Sequence, residues 1–200
     1  MPNTIPDDPV EKLYARLKAM AGGPDLAGQY LMLSIDHFRG LPESEITDSS
    51  DRTWDREAFA GSIDHTLLKA EADEDSVKQL CEEARQYGFA SVCVPPCYVN
   101  LAAELLAGSP VAVCTVVGFP LGSTLTAAKV EETRLAIEAG ATEIDMVLNA
   151  GKLKSKRYDC VEPDVRAVVD ASRKHNRGVI AKVVLERALL TDEEEGVPCD

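Results

Sequence analysis

From Ile63 onward, short β-branched runs alternate with helical patterns, and this order limits the folds open to the chain. The runs that read as strands are Ser62–Leu67, Phe89–Val94, Val111–Val117, Glu143–Leu148 and Val179–Leu185. Between them, Glu74–Tyr87 places Val77, Leu80, Cys81 and Ala84 on one helical face, with Gly88 where a C-terminal cap belongs. A second helix is predicted over about Tyr98–Ala107, ending at Gly108, and a third over about Thr126–Ala139, ending at Gly140. A fourth starts near Pro163, a residue tolerated in a first turn, and carries Val165, Val168 and Val169. Strand–helix–strand order calls for an α/β fold with a parallel sheet and helical crossovers.

An open doubly wound sheet and a closed barrel both satisfy that order. Successive strand residues face opposite ways, so polarity discriminates between them. In Glu143–Leu148 one face is Ile144, Met146 and Leu148, and the other is Glu143, Asp145 and Val147. In the last strand Val179, Ala181, Val183 and Leu185 oppose Lys182 and Glu186. Asp64 shares a face with Thr66, and Ser91 with Cys93. A central strand of an open sheet packs helices on both faces and should be apolar on both. A barrel can turn polar side chains inward, and the pattern favours it.

The first 56 residues differ from the rest. Asp8–Met20 has helical spacing at Leu13, Leu17 and Met20, and Ala21-Gly22-Gly23-Pro24 stops it. Leu26–Phe38 is largely apolar, and Gly40–Trp54 is polar and turn-rich. The division expected is an N-terminal helical extension and linker over 1–56 and a barrel domain over 57–200. Ser-Ile-Asp-His occurs at 34–37 and 62–65 with no similarity around it, and is read as chance.

Composition narrows the function. A hydrophobic content of 45% is enough for a packed core. A net charge of −13 argues against nucleic acid and against an anionic membrane surface as partners. A local pocket on an acidic protein can still be positive, so an anionic small substrate stays open. Met1–Val10 has neither the basic nor the apolar run of a secretory signal, and no segment has the length of a membrane span. The six cysteines form no C-x-x-C pair, and free thiols in a reducing cytoplasm is the expectation, with no metal site.

Asp145 and Lys182 are the foremost candidates for chemistry. Desolvation inside a barrel lowers an amine's pKa, and a neutral amine attacks an aldehyde to form a Schiff base. An aspartate on the neighbouring strand can relay the protons. A buried structural ion pair is the competing reading. Thr115–Thr124 is a glycine-containing strand-to-helix turn without a P-loop pattern, either a plain turn or a loop at the barrel mouth. Cys93 faces inward and reads as an inert buried thiol. His65 lies on the helix-facing side and reads as structural. Asp192–Glu195 reads as a solvated acidic turn.

Six blocks resemble the deoxyribose-phosphate aldolase family in its order and spacing. They are Ile63-Asp-His-Thr-Leu-Leu-Lys69, Leu80-Cys-Glu-Glu-Ala84, Tyr87-Gly-Phe-Ala-Ser-Val-Cys-Val-Pro95, Thr115-Val-Val-Gly-Phe-Pro-Leu-Gly122, Glu143-Ile-Asp-Met-Val-Leu-Asn149 and Lys182-Val-Val-Leu-Glu186. The resemblance implies a (β/α)8 TIM barrel and a metal-free, cofactor-free class I aldolase. Such an enzyme interconverts 2-deoxyribose 5-phosphate with glyceraldehyde 3-phosphate and acetaldehyde. By resemblance Lys182 is the Schiff-base lysine, Asp145 the proton donor and acceptor, and Asp64, Thr66 and Cys93 line the substrate site. A phosphorylated sugar is the expected partner, and a homo-oligomer is compatible with the sequence.

The resemblance covers about 57–195 and shows five of the eight βα units. The family's next strand carries Lys-Thr-Ser-Thr-Gly, with a second catalytic lysine, and its late loops bind the substrate phosphate. Neither has a match here, and Arg187 stands where the family commonly has threonine. The expectation is therefore a partial barrel of weak or no activity by itself. Two other readings remain: a non-catalytic remnant that binds a partner through its open sheet edge, and a Schiff-base aldolase of other specificity.

Overall fold

The computed structural model describes residues 59–175 and 178–190. The predicted extension over 1–56, the boundary at 57, the Asp192–Glu195 run and Cys199 lie outside the described residues.

Five strands form one sheet: β1 (Asp64–Thr66), β2 (Ser91–Val94), β3 (Ala112–Val117), β4 (Glu143–Val147) and β5 (Ile180–Val184). All neighbours are parallel, and the spatial order is β1-β2-β3-β4-β5. A doubly wound sheet reverses its order at a switch point, whereas a barrel adds each strand on the same side of the last. The observed order is the barrel's. Each strand lies inside the span predicted for it and is shorter by a residue or two at its ends.

The crossovers are α1 (Glu74–Tyr87), α2 (Val99–Leu105), α3 (Thr126–Glu138), and the pair α4 (Ala150–Lys154) and α5 (Tyr158–His175). Asp73 caps α1 by accepting from the Ser76 amide at 2.9 Å, and Gly88 closes it at φ +72°, where a side chain would be strained. A single 3-10 turn, Pro96–Tyr98, precedes α2. The helix expected to start near Pro163 starts at Tyr158 instead. The Arg157 carbonyl accepts from the amides of both Cys160 and Val161, which nucleates the helix earlier. Pro163 then removes only the bond its absent N–H would give to Asp159, one turn in. The short α4 has no counterpart among the helices expected from the sequence. Asn149 caps it by accepting from the Lys152 amide at 3.1 Å.

Period-two alternation splits the strand side chains between two environments. Val92, Val94, Val113, Val117, Ile144 and Met146 pack outward against Val77, Ala84, Val99, Ala102, Ala136 and Val168 of the helices. Burial of each larger aliphatic side chain stabilises by about 1.5–3 kcal/mol. The inner face carries a small apolar cluster of Cys93, Cys114 and Val116 beside Leu68, and a set of ionisable groups.

Candidate active site

The register of the sheet assembles the inner face. Asp145 on β4 pairs with Lys182 on β5, and Glu143 lies two residues before Asp145, on the same side. Asp64 comes from β1 at the far end of the sheet. Lys182 Nζ donates to Asp64 Oδ2 at 2.7 Å and lies 2.9 Å from Glu143 Oε2 and 3.2 Å from Asp145 Oδ1. The Ser91 hydroxyl on β2 donates to the other Asp64 oxygen at 2.6 Å. One ammonium is thus held by three carboxylates, with its side chain only 11% exposed.

The remaining predicted residues lie on the same face. Thr66 is half-buried and turns its hydroxyl back to the Asp64 carbonyl at 2.9 Å, rather than toward the ammonium. Cys93 is fully buried, in register with Thr66 on one side and Cys114 on the other. The two sulfurs and an Asp145 carboxylate oxygen lie within 4.8 Å of one another. His65 faces the other way. Its Nε2 is 2.7 Å from Glu83 Oε2 on α1, and its ring meets Phe89 edge-on with centroids 5.0 Å apart.

Glu143, Ser91 and Cys114 also reach this cluster and are not among the residues expected from the sequence. The period-two rule already places Glu143 on the face of Asp145 and Ser91 on that of Cys93, but polarity alone does not mark either as a site residue. Cys114 is legible only through the β2–β3 register.

The electrostatics reverse one expectation. Burial alone pulls the Lys182 amine down, as the sequence argument holds. The Asp145 carboxylate and the hydrogen bond and charge of Asp64 more than offset it, and the amine is held above the ordinary lysine range. Asp145 moves upward because burial outweighs its attraction to Lys182. Its Oδ1 makes no well-formed hydrogen bond although the ammonium is close by. The Cys93 hydrogen bond, burial and neighbouring negative charge push the Cys114 thiol far above the usual thiol range. The Asp145 carboxylate beside the two thiols is already paired with the Lys182 ammonium. The cluster fits the lysine.

The loop after β3 runs over the end of β4. The Gly118 amide donates to Glu132 Oε2 at 2.8 Å, and the Gly122 amide to the Gly118 carbonyl at 2.8 Å. A Cβ on Gly122 would fall 2.0 Å from the Leu148 carbonyl oxygen. Phe119 and Leu121 are exposed on this loop, and the Phe119–Pro120 bond is cis.

A parallel sheet wound in one sense, with helices outside and a lysine–carboxylate cluster inside, defines a protein of the βα-barrel class. Residues 59–195 match the DeoC/LacD family of aldolases, and the chain belongs to that family. It is 52% identical over 146 residues to a deoxyribose-phosphate aldolase of Clostridium perfringens, covering 73% of this chain and 64% of the relative. It is 54% identical over 141 residues to one from a Geobacillus species, covering 70% and 62%. Among solved structures, a proposed deoxyribose-phosphate aldolase from Coccidioides immitis superposes with a TM-score of 0.69 at 41% identity, over 74% of this chain and 57% of that one. The tetrameric deoxyribose phosphate aldolase of Aeropyrum pernix gives 0.65 at 35% identity, over 72% and 59%. The chain therefore spans a little under two thirds of the length of the curated relatives it matches.

Proposed function

We propose that this chain carries the Schiff-base half-site of an aldolase acting on 2-deoxyribose 5-phosphate. The observation that carries the reading is Lys182 standing in register beside Asp145 on the inner face of the sheet. The named relatives and the family membership support it.

The geometry suits the following sequence. Lys182 Nζ gives a proton to Asp145 Oδ1, 3.2 Å away, an oxygen that lacks a well-formed hydrogen bond and belongs to a carboxyl group that burial makes more basic. The neutral amine adds to the aldehyde carbon of the sugar, and loss of water gives the imine. Asp145 returns its proton to the departing hydroxyl, which leaves the imine protonated; it then accepts the 3-hydroxyl proton, and the C2–C3 bond breaks with its electron pair moving toward the protonated imine. Glyceraldehyde 3-phosphate leaves, and the electron pair stays on the lysine-bound two-carbon unit as an enamine. Protonation of the enamine and addition of water release acetaldehyde. Asp64 and Glu143 hold the ammonium in line before each turnover, and Thr66 and Cys93 line the same face. The five free cysteines among the described residues fit a reducing cytoplasm. The tetrameric relative favours a homo-oligomer.

Borohydride reduction in the presence of acetaldehyde, read by peptide mass, tests the site. The expected result is a two-carbon adduct on Lys182. An adduct on a different lysine overturns the assignment, and cleavage of 2-deoxyribose 5-phosphate is scored separately.

A further inference from the structure

Lys129 is fully buried, on a helix face that would ordinarily present an apolar side chain. Its Nζ donates to Asp164 Oδ2 on α5 at 2.6 Å and to the Val147 carbonyl at 3.0 Å. The second Asp164 oxygen accepts from Thr126 Oγ1 at 2.6 Å. One ammonium thus joins α3, α5 and the end of β4, two residues past Asp145. The same side chain fills the space under Gly118, where an added Cβ would lie 2.8 Å from Lys129 Cε. Helix, loop and strand end form one clamp.

We propose that Lys129 is a positioning residue for the aldolase chemistry: it fixes the end of β4 so that the Asp145 carboxylate faces Lys182. Stability alone is an insufficient account of the pair. A buried ion pair can often be exchanged for apolar side chains with little loss, or with a gain. Apolar side chains cannot supply the hydrogen bond to the Val147 carbonyl, and that bond acts directly on the strand that bears Asp145. Small misplacements of a proton-transfer group lower rates steeply. The inference rests on the proposed function, so its test has one readout that needs no catalysis.

The test compares the full chain with the double variant Lys129→Met/Asp164→Leu, which leaves no unpaired buried charge. Circular dichroism checks the fold. The Asp145 carboxyl carbon is titrated by NMR, and exchange of acetaldehyde methyl protons with D2O is followed beside borohydride trapping. The expected result is a folded variant with a displaced Asp145 midpoint and exchange slowed about tenfold or more, while trapping on Lys182 falls by less than exchange does. A folded variant with the parent's midpoint and exchange rate overturns the proposal. Exchange and trapping that fall together, in step with the folded fraction, overturn it as well. If the double variant does not fold, Thr126→Val, which loosens only Asp164, is read in the same way, and an unmoved midpoint there overturns it. A parent that neither traps nor exchanges refutes the proposed reaction, while the midpoint comparison still decides the role of Lys129.

Discussion

Asp64 Oδ2 and Lys182 Nζ stand 2.7 Å apart although 118 residues separate them and they lie on the two outermost strands of the sheet. Four strand gaps in a flat sheet would hold β1 and β5 roughly 19 Å apart. The contact therefore measures curvature: the sheet curls around the ammonium, and the ammonium ties its two ends together. The same contact gathers Glu143 and Asp145, so Lys182 is at once a structural clasp and the candidate nucleophile.

Asp64→Asn removes one of the groups that hold the Lys182 proton in place. The amine's pKa then falls, and more of it is neutral at a given pH. Acetaldehyde trapping on Lys182 is expected to shift its pH profile to lower pH and to run faster at neutral pH than in the parent. The rate of adduct formation across a pH series checks this, and a profile that stays in place or moves upward contradicts it. Ser91 keeps an acceptor in the asparagine amide, so the stability loss should be about 1 kcal/mol.

Lys182→Met leaves Asp64, Glu143 and Asp145 facing one another without a cation. Breaking a buried ion pair in this way costs about 3–5 kcal/mol at neutral pH. Because the folded-state pKa of Lys182 is raised from 10.5, the stability it contributes is present below that value and is lost as pH rises above it. Urea unfolding should show the deficit from neutral pH up to about pH 10, with a smaller gap in strong alkali. A deficit independent of pH contradicts the electrostatic account.

Asp145 is the opposite case. Its pKa is raised from 3.8, chiefly by burial, so its ionised form destabilises the fold above that pH. Asp145→Asn is expected to unfold at a higher temperature than the parent at neutral pH, with the difference vanishing below about pH 4. The same variant should lose exchange of the acetaldehyde methyl protons. A lower melting temperature at neutral pH shows instead that attraction to Lys182 outweighs the burial of Asp145.

Residues with regular local periodicity are legible in the sequence. The alternation along β4 and β5 is enough to place Asp145 and Lys182 on one face, because period two leaves no other option once the apolar face is fixed. The bounds of α1 agree with the expected helix, since Gly88 marks its end and its buried stripe is apolar. α3 hides its inward face. Its buried residues are Lys129, Thr133 and Ala136, at helical spacing but only one of them apolar, so the clamp to Asp164 leaves no hydrophobic signal. The raised Lys182 pKa is also out of reach of the sequence. Its sign depends on how many carboxylates converge, and Asp64 is brought there only by the curl of the sheet. The structural places of Asp64, Thr66 and Cys93 on the inner face follow from polarity, whereas their catalytic roles rest on the resemblance.

Gly122→Ala tests whether the loop after β3 is fixed to β4. Gly122 has φ +65°, and an added Cβ would fall 2.0 Å from the Leu148 carbonyl oxygen and 2.8 Å from that of Val147. Both are backbone atoms, so no side chain can swing aside. The left-handed conformation alone costs about 1–3 kcal/mol for a residue with a Cβ, and the clash must move either the loop or the end of β4. Val147 O is the acceptor of Lys129, so a shift of β4 reaches Asp145 through the same clamp. The variant is expected to lose stability in urea unfolding and, where still folded, to slow methyl-proton exchange more than it lowers Lys182 trapping. Gly88→Ala, whose added Cβ meets nothing within 4 Å at φ +72°, serves as the control for conformational strain without the clash. Equal losses in the two variants show that backbone strain, and not the contact with β4, explains why glycine stands at position 122.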